Sequence, residues 1–359
     1  MMRAAGLLAI AGRHGPLLLC AGVLLGLALP GLAMAARPLM DAAVFCFTLG
    51  AFLKVEPEAF RAEAGLRQGW RNLLILGWTS LGVPLAAWAG IWVTQPGPAL
   101  AEGLLLCTLA PPVGSAAALA AMLGLSAPVA LLASVAATAV APLSMPLLAN
   151  WLAGYALHID AGAMGLRLLL LVGGGALASW GLRRAAPRLV AGNPLAMTGI
   201  AVVALVVFAI GAMRGMPAYF ASEPTAVLLN LGIAFAVNAG FQLLGLLLFL
   251  PFGRRTALTV GLVSGNRNIG LAWAAVGTGM PAMVEVYFAM SVFPIYLLPV
   301  VMKRLLTPAL PPAARPEEPR PSIAGLRRQA MAEAVAARRQ VFQARAGLPA
   351  SPARPHPAE

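Results

Sequence analysis

The sequence predicts an all-α polytopic membrane protein of ten transmembrane helices, arranged as two inverted five-helix repeats. Three observations carry that prediction. Mean hydropathy is +0.85, with 60% hydrophobic and 10% charged residues over 359 positions, more apolar surface than a soluble chain of this length can hide. Ten apolar segments follow one another, each near the ~17–25 residues that span a bilayer. The basic residues fall almost wholly on one side of the resulting ladder.

The elements follow in chain order. Residues 1–15 form a basic N-terminal stretch. Pro16–Ala36 is the first apolar segment and has two readings. Ala33-Met34-Ala35 resembles a signal-peptidase site, and cleavage there leaves nine spans. The long basic region reaching Arg13, and the ten spans that two equal halves require, favour retention. Pro38–Val55, Trp70–Val93, Pro98–Gly124 and Ala127–Ala153 complete a first repeat over 16–153. Ala163–Leu182, Pro194–Arg214, Thr225–Phe252, Ala257–Gly279 and Pro281–Arg304 make a second over 163–304. An odd number of spans per repeat inverts the second relative to the first.

Ten spans put both termini on one side. Of the 25 basic residues, Arg37, Arg167 and Arg214 fall on the other side and Arg267 falls inside a span, which leaves 21 with the termini. That asymmetry predicts cytoplasmic termini in a cell (inner) membrane. It also explains the formal charge of +13 without nucleic acid, since no aromatic-interleaved basic face is present.

Two spans are interrupted at corresponding positions. In the fourth, Ala110-Pro111-Pro112-Val113-Gly114-Ser115 removes two backbone donors in succession and then supplies a glycine. In the ninth, Ser264-Gly265-Asn266-Arg267-Asn268-Ile269-Gly270 sets two amides and a permanent cation between glycines. Lipid excludes such segments, so both are expected to line a protein cavity. Corresponding breaks in two halves point to a midplane binding site. The breaks are assigned to Pro111, Pro112, Gly114, Gly265 and Gly270, and candidate substrate contacts to Arg267, Asn266, Asn268, Ser264 and Ser115.

Arg267 offers five donors in a planar fork. It is expected either to grip a substrate carboxylate, or to pair with an internal acid (Asp41, Glu102 or Glu285) or cap carbonyls. Ser115 begins the half-helix after the first break, where it either caps that helix or meets substrate. Asn230, Asn238 and Gln242 share one face of the eighth span and are read as cavity lining or as polar glue between helices. Trp70, Trp88, Trp92 and Trp151 are expected as interfacial anchors, with Tyr287 and Tyr296 read the same way. Cys20, Cys46 and Cys107 lie in apolar runs without metal-ligand spacing. The tail, 305–359, reads as a Pro-rich linker, a basic helix over 322–346 for anionic lipid or a cytoplasmic partner, and a disordered end.

Four stretches together resemble the bile acid:sodium symporter family in its bacterial ten-span form, over roughly 16–304. Leu49-Gly50-Ala51-Phe52-Leu53 with Glu56-Pro57-Glu58-Ala59-Phe60 is similar to the family's end of span two and its acidic loop. Val83-Pro84-Leu85-Ala86 resembles its Met-Pro-Leu-Ala, and Ala110–Ser115 resembles its first break, with Ala141-Pro142-Leu143 then matching the usual end of span five. Gly265-Asn266-Arg267-Asn268-Ile269-Gly270-Leu271 resembles its second. The resemblance implies panel and core domains with crossed broken helices in spans 4 and 9, and transport of a small organic anion with sodium.

The sodium ligands implied by the family fall on Thr79, Ala117, Ala118, Val263 and Arg267, and only Asn268 keeps its residue type. Alanine and valine supply no side-chain oxygen, and arginine supplies positive charge. The resemblance therefore implies a relative that does not use classical two-sodium coupling, with no cofactor, no metal, and Arg267 standing where the ion would. Thr79 joins the candidate substrate contacts on this basis.

The expected function is secondary transport of small organic anions by alternating access. A membrane sensor or scaffold that keeps the fold without transport is the alternative. Arsenite efflux is weaker, because Pro112 occupies the place where related permeases carry cysteine. No paired carboxylates, nucleophile elbow or metal-ligand cluster suggest an enzyme.

Overall fold

The computed structural model describes residues 2–55, 66–153, 160–277 and 280–306. The chain divides into two compact units, Met1–Ala309 and Leu310–Glu359. The second, with the expected tail helix, lies outside the described residues. Among those residues the architecture is all-helical and multi-pass, with seven helices long and apolar enough to cross a membrane.

In order, the helices are α1 (Met2–Arg13), α2 (Gly15–Ala28), α3 (Pro30–Leu53), α4 (Gly69–Thr94), α5 (Pro98–Leu109) and α6 (Ala116–Met122). They continue as α7 (Ala127–Leu152), α8 (Ala161–Ala185), α9 (Pro194–Ser222), α10 (Pro224–Phe252), α11 (Arg254–Gly265), α12 (Ile269–Val276) and α13 (Ala282–Arg304). Proline occupies the first turn of α2, α3, α5, α9 and α10, where its missing N–H has no intrahelical partner to lose. Asp160 starts α8 by accepting from the Gly162 and Ala163 N–H groups.

The first apolar stretch divides differently from the sequence expectation. Ahead of it, α1 is helical and meets α2 at a bend of 90°. The break after α2 falls at Leu29, whose φ of −124° leaves the helix, because a residue preceding proline is driven out of the α region. The chain then runs on through Arg37–Leu39 as a 3₁₀ turn, with Pro38 tolerated in its opening position. Pro16–Ala36 is thus not one continuous helix. Ala33-Met34-Ala35 lies within α3, with Ala33 and Ala36 packed on Ile210 of α9.

Two groups of helices build the core. In one, α9 lies against α1, α2 and α3. Gly12 and Gly199 let α1 and α9 touch at backbone distance, since a Cβ at either would overlap the carbonyl of Leu195 or Leu8. In the other, α10 runs along α11 and α13, and α5 packs on α13 and α4. The two interrupted segments, α5–α6 and α11–α12, end inside the protein.

Candidate functional site

The breaks meet each other. Pro111 to Val113 and Asn266 to Asn268 leave their helices as extended chain and pair antiparallel, with Pro112 facing Arg267. The Val113 N–H donates to the Asn266 carbonyl and the Asn268 N–H to the Pro111 carbonyl, each at 2.8 Å. Each break supplies backbone hydrogen bonds that the other gave up on leaving its helix, which is how irregular backbone survives away from water.

Arg267 sits at this crossing, 3% exposed. Its Nη2 donates to the Thr79 carbonyl at 2.7 Å and the Thr108 carbonyl at 2.9 Å. Both acceptors are available for a reason written in the sequence. Thr108 precedes Pro111 and Pro112 by three and four residues, so neither position can donate to its carbonyl. Thr79 lies in a π-helical turn, Trp78–Gly82, in which the Val83 N–H is taken by the Trp78 carbonyl. The next donor in line belongs to Pro84, which has none. The guanidinium therefore serves carbonyls that proline orphaned on two separate spans. It also lies at the C-terminal, negative ends of α5 and α11, where a cation is favourable. Of the expected acids, Glu285 pairs instead with Arg37. Among the described residues no carboxylate forms an ion pair with Arg267.

The neighbouring amides hold the second break in place. Asn238 of α10 donates to the Gly265 carbonyl (3.0 Å) and to Asn266 Oδ1 (3.3 Å), and Gln242 Nε2 donates to Asn238 Oδ1 at 2.6 Å. Asn266 Nδ2 returns to the Leu262 carbonyl, and Asn268 Oδ1 accepts from the Leu271 N–H, capping α12. Ser264 donates to the Val260 carbonyl and accepts from Trp78 Nε1 at 2.7 Å. Three glycines make this approach possible. A Cβ on Gly245 would lie 3.1 Å from the Gly261 Cα, and one on Gly265 would lie 2.9 Å from Asn238 Oδ1. Small residues that bring helix backbones together are the usual means of packing in a membrane.

A cavity lies on one side of the crossing. It has a volume of about 230 Å³ and is lined by the first break through Val113, Gly114 and Ser115. Apolar side chains, among them Leu19, Phe47, Val202 and Leu205, form most of its wall. Arg13, Lys54 and Thr198 supply its polar contacts. Ser115 does not cap α6, and its buried Oγ has no hydrogen-bond partner among the described residues. Lys54, one residue beyond α3, is partly buried, and desolvation pushes its ammonium down to about 8.

Toward the other end of α3, roughly 25 Å away at ~1.5 Å per residue, Arg37 forms an ion pair with Glu285 of α13. Its guanidinium lies over the Trp273 ring at 4.9 Å from the centroid. Arg167 of α8 donates to the Val276 carbonyl at the end of α12.

The structure brings Thr79, Ser264, Asn266, Arg267 and Asn268 together around the crossing, with Pro111, Pro112, Gly265 and Gly270. Of the candidate contacts only Ser115 lines the large cavity, beside Gly114. Sequence reasoning missed Arg13, Lys54 and Thr198 as cavity residues, having counted the first two only as topology signals. Tyr287 and Tyr296, expected as interfacial anchors, are buried against α5 and around the cavities instead. No family model and no curated protein matches the chain.

Proposed function

We propose that this chain is a secondary transporter of small organic anions, resembling the bile acid:sodium symporters, in which ten spans form two inverted five-helix repeats with cytoplasmic termini in the inner membrane. The observation that carries the reading is the 230 Å³ cavity against the first break, apolar along its walls, with Arg13, Lys54 and the unpartnered Ser115 hydroxyl at its polar contacts. That combination suits a carboxylate on a short apolar body. The volume is below the ~300–1,000 Å³ that drug-sized ligands occupy. In this reading the cavity is the access route from the Arg13 and Lys54 end, and the Arg37–Glu285 pair with Trp273 closes the other end.

Arg267 acts in this scheme as a tethered cation. It offers positive charge to carbonyl oxygens at two helix ends, in the place where the resembled family holds sodium. Transport is then independent of a sodium gradient, as uniport or exchange. Arsenite is disfavoured, because Cys107 is buried beside Arg267 and does not line the large cavity.

The test is uptake of a panel of small carboxylates into proteoliposomes, with and without a sodium gradient. Uptake of at least one carboxylate, unchanged by sodium, is expected. Sodium-driven accumulation sinks the tethered-cation reading. Absence of flux across the panel favours a sensor or scaffold.

A further inference from the structure

We infer that a single monatomic anion, with chloride as its probe, binds beside Arg267 as the counter-ion of the buried guanidinium. The site is distinct from the large cavity. Arg267 carries a permanent charge and is 3% exposed. One of its three nitrogens serves both carbonyl acceptors, while Nε and Nη1 have no partner among the described residues. A buried cation with idle donors and no paired carboxylate is costly, and a charge of opposite sign offsets that cost most directly.

Space for such a charge lies at hand. Two cavities of about 20 Å³ each border Arg267. One adjoins Cys107, Asn238 and Ser291; the other adjoins Asn268, Phe208 and Tyr296. Each exceeds the ~10–15 Å³ that one water needs, and each is too small for a carboxylate with its carbon chain. The size thus selects a one-atom anion over the organic anion proposed for the large cavity. Two donors beside the first of these cavities are otherwise committed. Asn238 Nδ2 points to Gly265 and Asn266, and the Ser291 hydroxyl donates to the Tyr287 carbonyl. The idle Nε and Nη1 of Arg267 remain to meet an anion there.

The experiment measures the thermal unfolding midpoint of the purified full chain in detergent, titrating sodium chloride against sodium gluconate at constant ionic strength. A saturable rise of a few degrees with chloride, reproduced by bromide, is expected, since a ligand of the folded state stabilises it. Arg267→Gln should abolish the halide-dependent part. Should that variant fail to fold, bromide anomalous scattering from crystals of the unaltered protein gives the second readout, with a peak expected in one of the two small cavities. Equal midpoints in chloride and gluconate, or a peak only at other places, overturn the inference and leave water as the partner of Nε and Nη1. The readouts involve no transport, so they stand or fall separately from the carboxylate assay.

Discussion

Arg267 donates to the carbonyl of Thr108, a residue 159 positions away in the chain, and that carbonyl is available because Pro111 and Pro112 follow it. The prolines that break one span create the acceptor that the cation of the other break fills. The relationship couples two spans at the point where neither is helical, and it has measurable consequences.

Replacing Arg267 orphans the Thr79 and Thr108 carbonyls. Hydrogen bonds from a charged group contribute ~1.5–3 kcal/mol each, partly offset here by no longer burying a charge. Arg267→Gln is expected to lose about 2 kcal/mol, read as a lower unfolding midpoint in detergent, and to take up carboxylate at less than a tenth of the wild-type rate. Arg267→Lys, which keeps the charge without the fork, should fall between. Wild-type uptake by both variants at equal expression would remove Arg267 from the mechanism.

The α10–α11 seam has no room for added atoms. Gly265→Ala or Gly261→Ala should destabilise by ~1–3 kcal/mol, the usual range for overpacking. Gly240→Ala, at a position with nothing within 4 Å of the new Cβ, is the control and should be neutral or slightly stabilising. Thermal unfolding of the three variants side by side separates the seam from general helix propensity.

Lys54 is expected to make uptake sensitive to pH. Its ammonium is charged below about 8 and neutral above, because burial disfavours the charged form. An anion in the large cavity is therefore held better at pH 7 than at pH 9, and uptake should fall as pH rises through that midpoint. Lys54→Arg keeps its charge and should flatten the profile over the same interval. A wild-type profile already flat from pH 7 to 9 would exclude Lys54 as a carboxylate contact.

The Arg37–Glu285 pair invites a charge swap. Glu285→Arg places two cations together and should cut uptake at least tenfold. Arg37→Glu combined with Glu285→Arg should recover half or more, a coupling that independent sites do not show. Failure of the double variant to recover would mean that the residues act separately.

The breaks were legible in the sequence because proline and glycine act on their own backbone, whatever lies around them. The partners of Arg267 were not. They are carbonyls, which every residue carries, and only the tertiary arrangement says which ones meet a guanidinium. Arg37 misled for a related reason: a charge next to Pro38 reads as the end of a span, yet Glu285 neutralises it and the helix runs through. Pro30, in a purely apolar stretch, gave no hydropathy signal for the break that does occur. Arg13 and Lys54 looked like topology markers, and a charge count cannot tell which basic residues converge on one cavity.

The pairing of the two breaks also sets an order of assembly. The Val113 N–H and the Pro111 carbonyl find their partners roughly 155 residues further on, and synthesis at about 5–20 residues per second puts those partners on the order of 10–30 s behind. During that interval the first break faces the bilayer or the insertion machinery with its polar backbone unmatched. Stable membrane entry of α5 and α6 is thus expected only once α11 and α12 arrive, and a chain truncated before Arg254 should be a substrate for membrane quality control rather than a stable half-protein.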